Sequence, residues 1–116
     1  MDNLALLTRP AMSNTAVSVV EVTGELNINT VDSFEAALSN LFHQKNFKIV
    51  INFEKLTYIS SAGIGVLVGI IKDVRRNRGD IKLTNVPPDI YKVFDLLELP
   101  GLFHFHKSER DAAENF

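Results

Sequence analysis

KIVINFEKLTYISSAGIG, residues 48–65, is the stretch on which the fold turns. It opens with Lys48-Ile49-Val50-Ile51-Asn52-Phe53, a mostly apolar run of strand length, as expected for a central strand buried on both faces. It closes on Leu56-Thr57-Tyr58-Ile59-Ser60-Ser61-Ala62-Gly63-Ile64-Gly65, which leads directly into a helix expected over roughly 62–77. Gly79 stops that helix, and Lys72, Arg75, Arg76 and Arg78 suit its negative end. A buried strand feeding a helix is the start of a parallel crossover.

The flanks supply the rest. Upstream, residues 4–9 and 16–23 read as strands, the second rich in β-branched valine, with Pro10 and Ser13-Asn14 as the turn between them and Gly24 as the end of the second. From Thr30 the period becomes helical, with Val31, Phe34, Leu38, Leu41 and Phe42 on one face. Asn29 or Thr30 can cap that helix, and Asp32 and Glu35 suit its dipole. Downstream, Asp80–Thr84 alternates like a strand. Pro87-Pro88 opens a third helix whose inner face is Ile90, Val93, Phe94 and Leu97, and Pro100-Gly101 closes it. A short strand at Leu102–His106 follows, with Phe103 and Phe105 facing the core, and Ser108-Glu109-Arg110-Asp111 opens a terminal helix in the manner of a capping box. The order β-β-α-β-α-β-α-β-α implies one α/β domain over residues 1–116. Its sheet is expected to be mixed but mostly parallel, of four to five strands, with about four helices packed on it.

Composition narrows the function. The chain has 116 residues, 46% hydrophobic and 22% charged, which is ordinary for a soluble globular domain. No apolar run approaches the roughly 20 residues that span a bilayer, and the opening MDNLALLTRP lacks the basic head and long apolar core of a secretion signal, so a cytoplasmic protein is expected. Absence of cysteine excludes disulfides, thiolate metal sites and thiol nucleophiles. A net charge of −2 with dispersed Lys and Arg argues against nucleic acid, which requires a basic face to displace counterions. No membrane partner and no cofactor are expected.

The chemistry-bearing segment is Ser60-Ser61 at the junction of strand and helix. Free N–H groups and the positive dipole end make such a place receptive to an anion, and the small residues Ala62, Gly63 and Gly65 allow another backbone to approach. Ser60 or Ser61 reads equally as the ordinary helix N-cap, and a capping serine can also accept a phosphate.

Gly24-Glu25-Leu26, the strand Ile49–Phe53, Tyr58 to Leu67 and Val93-Phe94-Asp95-Leu96-Leu97 together resemble the anti-sigma factor antagonists of the STAS family over nearly the whole chain. The resemblance implies a protein-binding switch, not an enzyme. Such a switch binds an anti-sigma factor that is also a serine kinase, so releasing a sigma factor, and a serine phosphatase resets it. It places the phosphoacceptor at Ser61, with Ser60 as the alternative, and the binding surface on Glu25, Asn27, Asn29, Ser60, Ala62, Gly63, Ile64 and Gly65. The family's acidic residue before the acceptor is Ser60 here, and its Asp after Gly-Glu-Leu is Asn27; both changes remove negative charge. A second reading keeps the fold and changes the partner, making the chain a binding subunit of a lipid-transport or sensory complex.

Other signals are weaker. His104 and His106 share a strand face, but with His43 elsewhere they lack the three or four ligands of a metal site. Arg75-Arg76-Asn77-Arg78 is expected to be the solvated end of a helix. Gly63-x-Gly65 with Gly69 matches neither phosphate-loop pattern, and Ile59 stands where a nucleophile elbow needs its first glycine.

Overall fold

The computed structural model describes residues 3–116; Met1 and Asp2, at the head of the opening segment, lie outside the described residues. The elements are β1 (Leu4–Pro10), β2 (Ser18–Leu26), α1 (Val31–His43), β3 (Lys48–Ile59), α2 (Ser61–Arg76), β4 (Asp80–Thr84), α3 (Pro88–Leu96), β5 (His104–His106) and α4 (Glu109–Glu114). They build one sheet in the order β1-β2-β3-β4-β5. β1 runs antiparallel to β2, and every later pairing is parallel. The expected α/β class and the mixed, mostly parallel sheet are therefore found, with five strands and four helices among the described residues. Among the described residues, no helix is long and apolar enough to cross a membrane.

Alternation along the strands divides the side chains between two faces. On one face Val20, Val22, Ile49, Ile51, Phe53, Ile81 and Leu83 pack against Phe34, Leu38 and Leu41 of α1, Leu67, Ile71 and Val74 of α2, and Ile90 and Phe94 of α3. On the other face Val19 and Val50 meet Ala11, Val17 and the α4 residues Ala112 and Ala113. β3 is thus buried on both sides over its first half, which is why that run carries so few polar residues. At roughly 1.5–3 kcal/mol for each large apolar side chain, the first face supplies most of the stability.

The second face also carries ions. Arg9 Nε donates to Glu21 at 2.8 Å and Arg9 Nη2 donates to Glu109 at 2.7 Å, while Asn52 Nδ2 donates to Glu109 at 2.7 Å. Burial pushes the Glu109 carboxyl up, but the hydrogen bonds from Asn52 and Arg9 outweigh it, and its pKa falls below the ordinary glutamate value. One carboxylate so fastens α4 to both the first strand and the central one.

Several boundaries differ from the sequence reading. Gly24 does not end β2. It lies within the strand at φ +113°, beside shifts of register against β3, and a Cβ there would strike the carbonyl of Asn3. That is a bulge held open by glycine. Pro10 belongs to β1, tolerated because β1 is an edge strand. β3 continues six residues beyond Phe53 to Ile59, carried by pairing with the bulged end of β2. Leu97 is not on the inner face of α3: it is the C-cap and is exposed, while Ile90 and Phe94 are buried as expected. The last strand is shorter than expected, His104–His106, with Phe103 buried just before it and Phe105 against Tyr91 and Phe94.

Candidate functional site

The Ser60-Ser61 junction resolves into two different serines. Ser60 has extended backbone (φ −92°, ψ 171°) and is the N-cap of α2, its Oγ accepting from the Gly63 N–H at 3.4 Å. Its own N–H donates to the Leu26 carbonyl at 2.8 Å, and its carbonyl accepts from Ile64 N–H at 3.1 Å. The N–H, the carbonyl and the hydroxyl oxygen of Ser60 thus each hold a bond to the fold. Ser61 is the first helical residue, exposed, and its hydroxyl makes no hydrogen bond among the described residues. Its N–H and that of Ala62 belong to the first turn and have no helical acceptor. An oxyanion on Ser61 would meet these donors and the positive end of a 16-residue helix.

The loop after β2 lies alongside. Parallel pairing sets Glu25 opposite Tyr58 and Leu26 opposite Ile59, so residues 27–30 emerge next to the α2 N-terminus. The loop holds its shape through Asn27 and Thr30. Asn27 Oδ1 accepts from the N–H groups of Asn29 at 2.9 Å and Thr30 at 3.1 Å, an Asx turn. Thr30, only 5% exposed, donates its hydroxyl to the Glu25 carbonyl at 2.8 Å and accepts from Asn27 N–H at 2.9 Å. Thr30 is the N-cap of α1, but its side chain is turned to the loop and gives α1 no capping bond. An aspartate could make the same turn as Asn27, and the same cap as Ser60. Both departures from the acidic pattern preserve the backbone and alter only charge.

The eight residues expected at the binding surface fall into two groups. Glu25, Asn27, Asn29, Ser60, Ala62 and Gly65 are exposed or half-exposed on this end of the molecule, around Ser61. Gly63 and Ile64 are buried. A Cβ on Gly63 would sit 3.1 Å from Ile59 and 3.2 Å from Leu26, so this glycine serves the close approach of α2 to the sheet. Ile64 belongs to the core. By contrast, a Cβ on Gly65 would meet nothing within 4 Å. The fold has no need of glycine there.

Two apolar residues at this end were not among the expected binding residues: Ile28, 73% exposed in the loop, and Tyr58, 48% exposed beside Glu25. Ile28 is the one aliphatic residue in the run Asn27–Thr30, a signal that could have found it. Tyr58 alternates with the buried Ile59, which places it outward. Gly69, also exposed with nothing near its missing Cβ, extends the Ser61-Gly65 row at helical spacing.

The remaining candidates lie elsewhere. His104 and His106 do share the β5 face, but His104 Nε2 approaches Asp80 at 3.6 Å and His106 Nδ1 meets Asp111 at 2.7 Å. Among the described residues, no group of three or more metal-ligating side chains is assembled.

Comparison with known proteins agrees with the fold. The family model described as "STAS domain" matches residues 10–112. An anti-sigma-B factor antagonist of Staphylococcus aureus is 30% identical over 88 residues, covering 76% of this chain and 82% of that protein. The Bacillus cell fate determinant SpoIIAA, solved in its phosphorylated form, superposes with a TM-score of 0.72 at 25% identity, over 95% of this chain and 97% of that one. An anti-sigma factor antagonist from Mycobacterium paratuberculosis shares the fold, with a TM-score of 0.85 at 21% identity over 97% and 93% of the two chains.

Proposed function

Because the chain belongs to the STAS domain family, we propose that it is an anti-sigma factor antagonist whose binding surface is the end of the molecule around Ser61, and that phosphorylation of Ser61 turns it off. One observation carries the assignment of the switch: at the start of α2, the Ser60 hydroxyl is committed to the fold and the Ser61 hydroxyl is free and exposed. A kinase can reach Ser61 without disturbing the cap.

In the unmodified state the exposed Ile28 and Tyr58, the half-exposed Glu25 and Asn27, and the glycine-lined face of α2 offer a mixed apolar and polar surface to a kinase-type anti-sigma factor. Gly65 lets that partner's backbone come close. Phosphate adds about −1.5 to −2 charges at pH 7. The fold tolerates it, since it lies at the positive end of α2, where negative charge gains about 0.3–1 kcal/mol. The partner does not, because a surface shaped for a hydroxyl leaves the dianion underpaired on desolvation, at a cost of several kcal/mol. A loss of ~3 kcal/mol weakens binding about a hundredfold. The modified protein dissociates without unfolding, and a serine phosphatase restores it.

The test is to incubate the purified chain with ATP and the serine-kinase anti-sigma factor encoded in the same genome, then to map phosphate by mass spectrometry. One phosphate on Ser61, lost in Ser61→Ala and retained in Ser60→Ala, is expected. Phosphate on Ser60, or none on either serine while the kinase modifies a control substrate, overturns the assignment of the switch.

A further inference from the structure

At the other end of α2, about 24 Å from Ser61 by helix length, the loops that close α1 and α2 lie together. Both helices end in the same way. Asn46 N–H returns to the Leu41 carbonyl at 2.8 Å with Lys45 at φ +62°, and Gly79 N–H returns to the Val74 carbonyl at 2.8 Å with Arg78 at φ +64°. This left-handed position is the one that favours glycine. In this chain it carries a cation twice. Helix dipoles do not dictate the choice, because α3 ends with the same hydrogen bond (Leu99 N–H to Phe94) and carries an acid, Glu98, at φ +57°.

The two loops are locked to each other. Asp80 N–H donates to the Phe47 carbonyl at 3.0 Å, and Gly79 packs so tightly on Phe47 that a Cβ would overlap it. Beside them is an open cavity of about 230 Å³ lined by Lys45, Lys48 and Arg78, with Asn46, Asn77, Phe47 and Ala16. Phe47 is backed by Phe42, ring centroids 5.8 Å apart, which gives that side an apolar wall. No acidic side chain lines the cavity. Asp80, next to Lys48 in the sheet, is turned to Arg75 and His104, and Asp73 is paired with Arg76. The ammonium and guanidinium groups of Lys45, Lys48 and Arg78 make no ion pair or hydrogen bond with any described residue. In a chain of net charge −2, three exposed cations without an ion-pair partner among the described residues line one concavity.

We propose that this cavity binds a small polyanion of the phosphate class. Three positive groups around a recess with one apolar wall raise the local positive potential and draw a multiply charged anion to it. The recess is too small for a helix or strand of a partner, and three cations in a pocket do not make the extended basic track that nucleic acid needs. A compact, multiply charged oxyanion fits both the volume and the charge.

The experiment is a titration of the isotope-labelled protein with sodium pyrophosphate at fixed ionic strength, read by amide chemical shifts, with sodium sulfate and chloride as controls. Saturable shifts confined to residues 45–48 and 77–80 are expected. Each of Lys45→Gln and Arg78→Gln should weaken binding about fivefold, and the double variant about 25-fold, at unchanged melting temperature. Lys45→Gly separates binding from folding: it relieves the left-handed backbone, so it should raise the melting temperature while weakening pyrophosphate as Lys45→Gln does. Unsaturable shifts, shifts spread over all lysines, or equal affinity of the double variant would mean an adventitious ion only and overturn the proposal.

Discussion

The N–H of Ser60 donates to the carbonyl of Leu26 at 2.8 Å, so the residue that caps α2 is also the last hydrogen-bonded link between β2 and β3. Through this bond the Asx-turn loop and the helix start become one rigid surface. The two serines should then answer differently to mutation. Ser60→Ala removes the 3.4 Å cap and should cost about 0.5–1 kcal/mol, at the low end of the range for N-caps because the bond is long. Ser61→Ala and Ser61→Asp should change stability by less than about 0.5 kcal/mol, while Ser61→Asp loses partner affinity. Urea unfolding and calorimetric binding of the same proteins check both halves.

Gly65 and Gly63 make a second contrast. Gly65→Ala puts a methyl into open space on a helix and should stabilise the chain by roughly 0.5–1 kcal/mol, yet weaken binding by filling the approach to the partner. Gly63→Ala gains the same propensity but presses on Ile59 and Leu26, so its net change should fall well below that of Gly65→Ala. Thermal melts of the pair, compared directly, decide it.

Thr30 shapes the binding loop from inside. Thr30→Val keeps the volume and removes the hydroxyl, leaving the Glu25 carbonyl and the Asn27 N–H without their partner. A loss of about 1–3 kcal/mol is expected, together with faster amide exchange at residues 27–30. Unchanged exchange there would show that the loop is held by something else.

Glu109 makes stability depend on pH in a definite direction. Its carboxyl is held below the ordinary glutamate pKa, roughly 4.3, so its contribution is fully present above that value and disappears as pH falls through the lower, folded-state pKa. Glu109→Gln should therefore be less stable than the parent at pH 6–7, and the gap should narrow steadily below about pH 4. Parallel unfolding curves from pH 7 to pH 3 test this. A gap that widens on acidification contradicts the geometry.

The elements built on local pattern were legible: the apolar run at Lys48–Phe53, the helical face of Val31, Phe34, Leu38 and Leu41, and the capping Ser108, whose Oγ accepts from Asp111 N–H at 3.1 Å. The second half of β3 was not. Its buried residues Leu56 and Ile59 are three apart instead of two, because register slips at the β2 bulge interrupt alternation. Leu97 followed the helical period but fell one residue past the end of α3, where the chain turns away. In the site, Ser60-Ser61 was visible as a pair. Their division of labour depends on which residue takes extended backbone, and sequence alone left both open. Ile64 and Gly63 were read toward solvent because small and apolar residues suit an interface and a core equally. The ionic layer of Arg9, Glu21, Asn52 and Glu109 has no local signature, being assembled from three strands and the last helix.

That layer bears on how the polypeptide is made. Arg9 and Glu109 are 100 residues apart in the chain. At a ribosomal rate of about 5–20 residues per second, Arg9 waits roughly 5–20 s for its counter-ion to be synthesised. For the part of that interval after Val50 has been made, the valine pair Val19 and Val50 has no α4 to cover it. This face of the sheet therefore cannot be closed until translation is nearly finished.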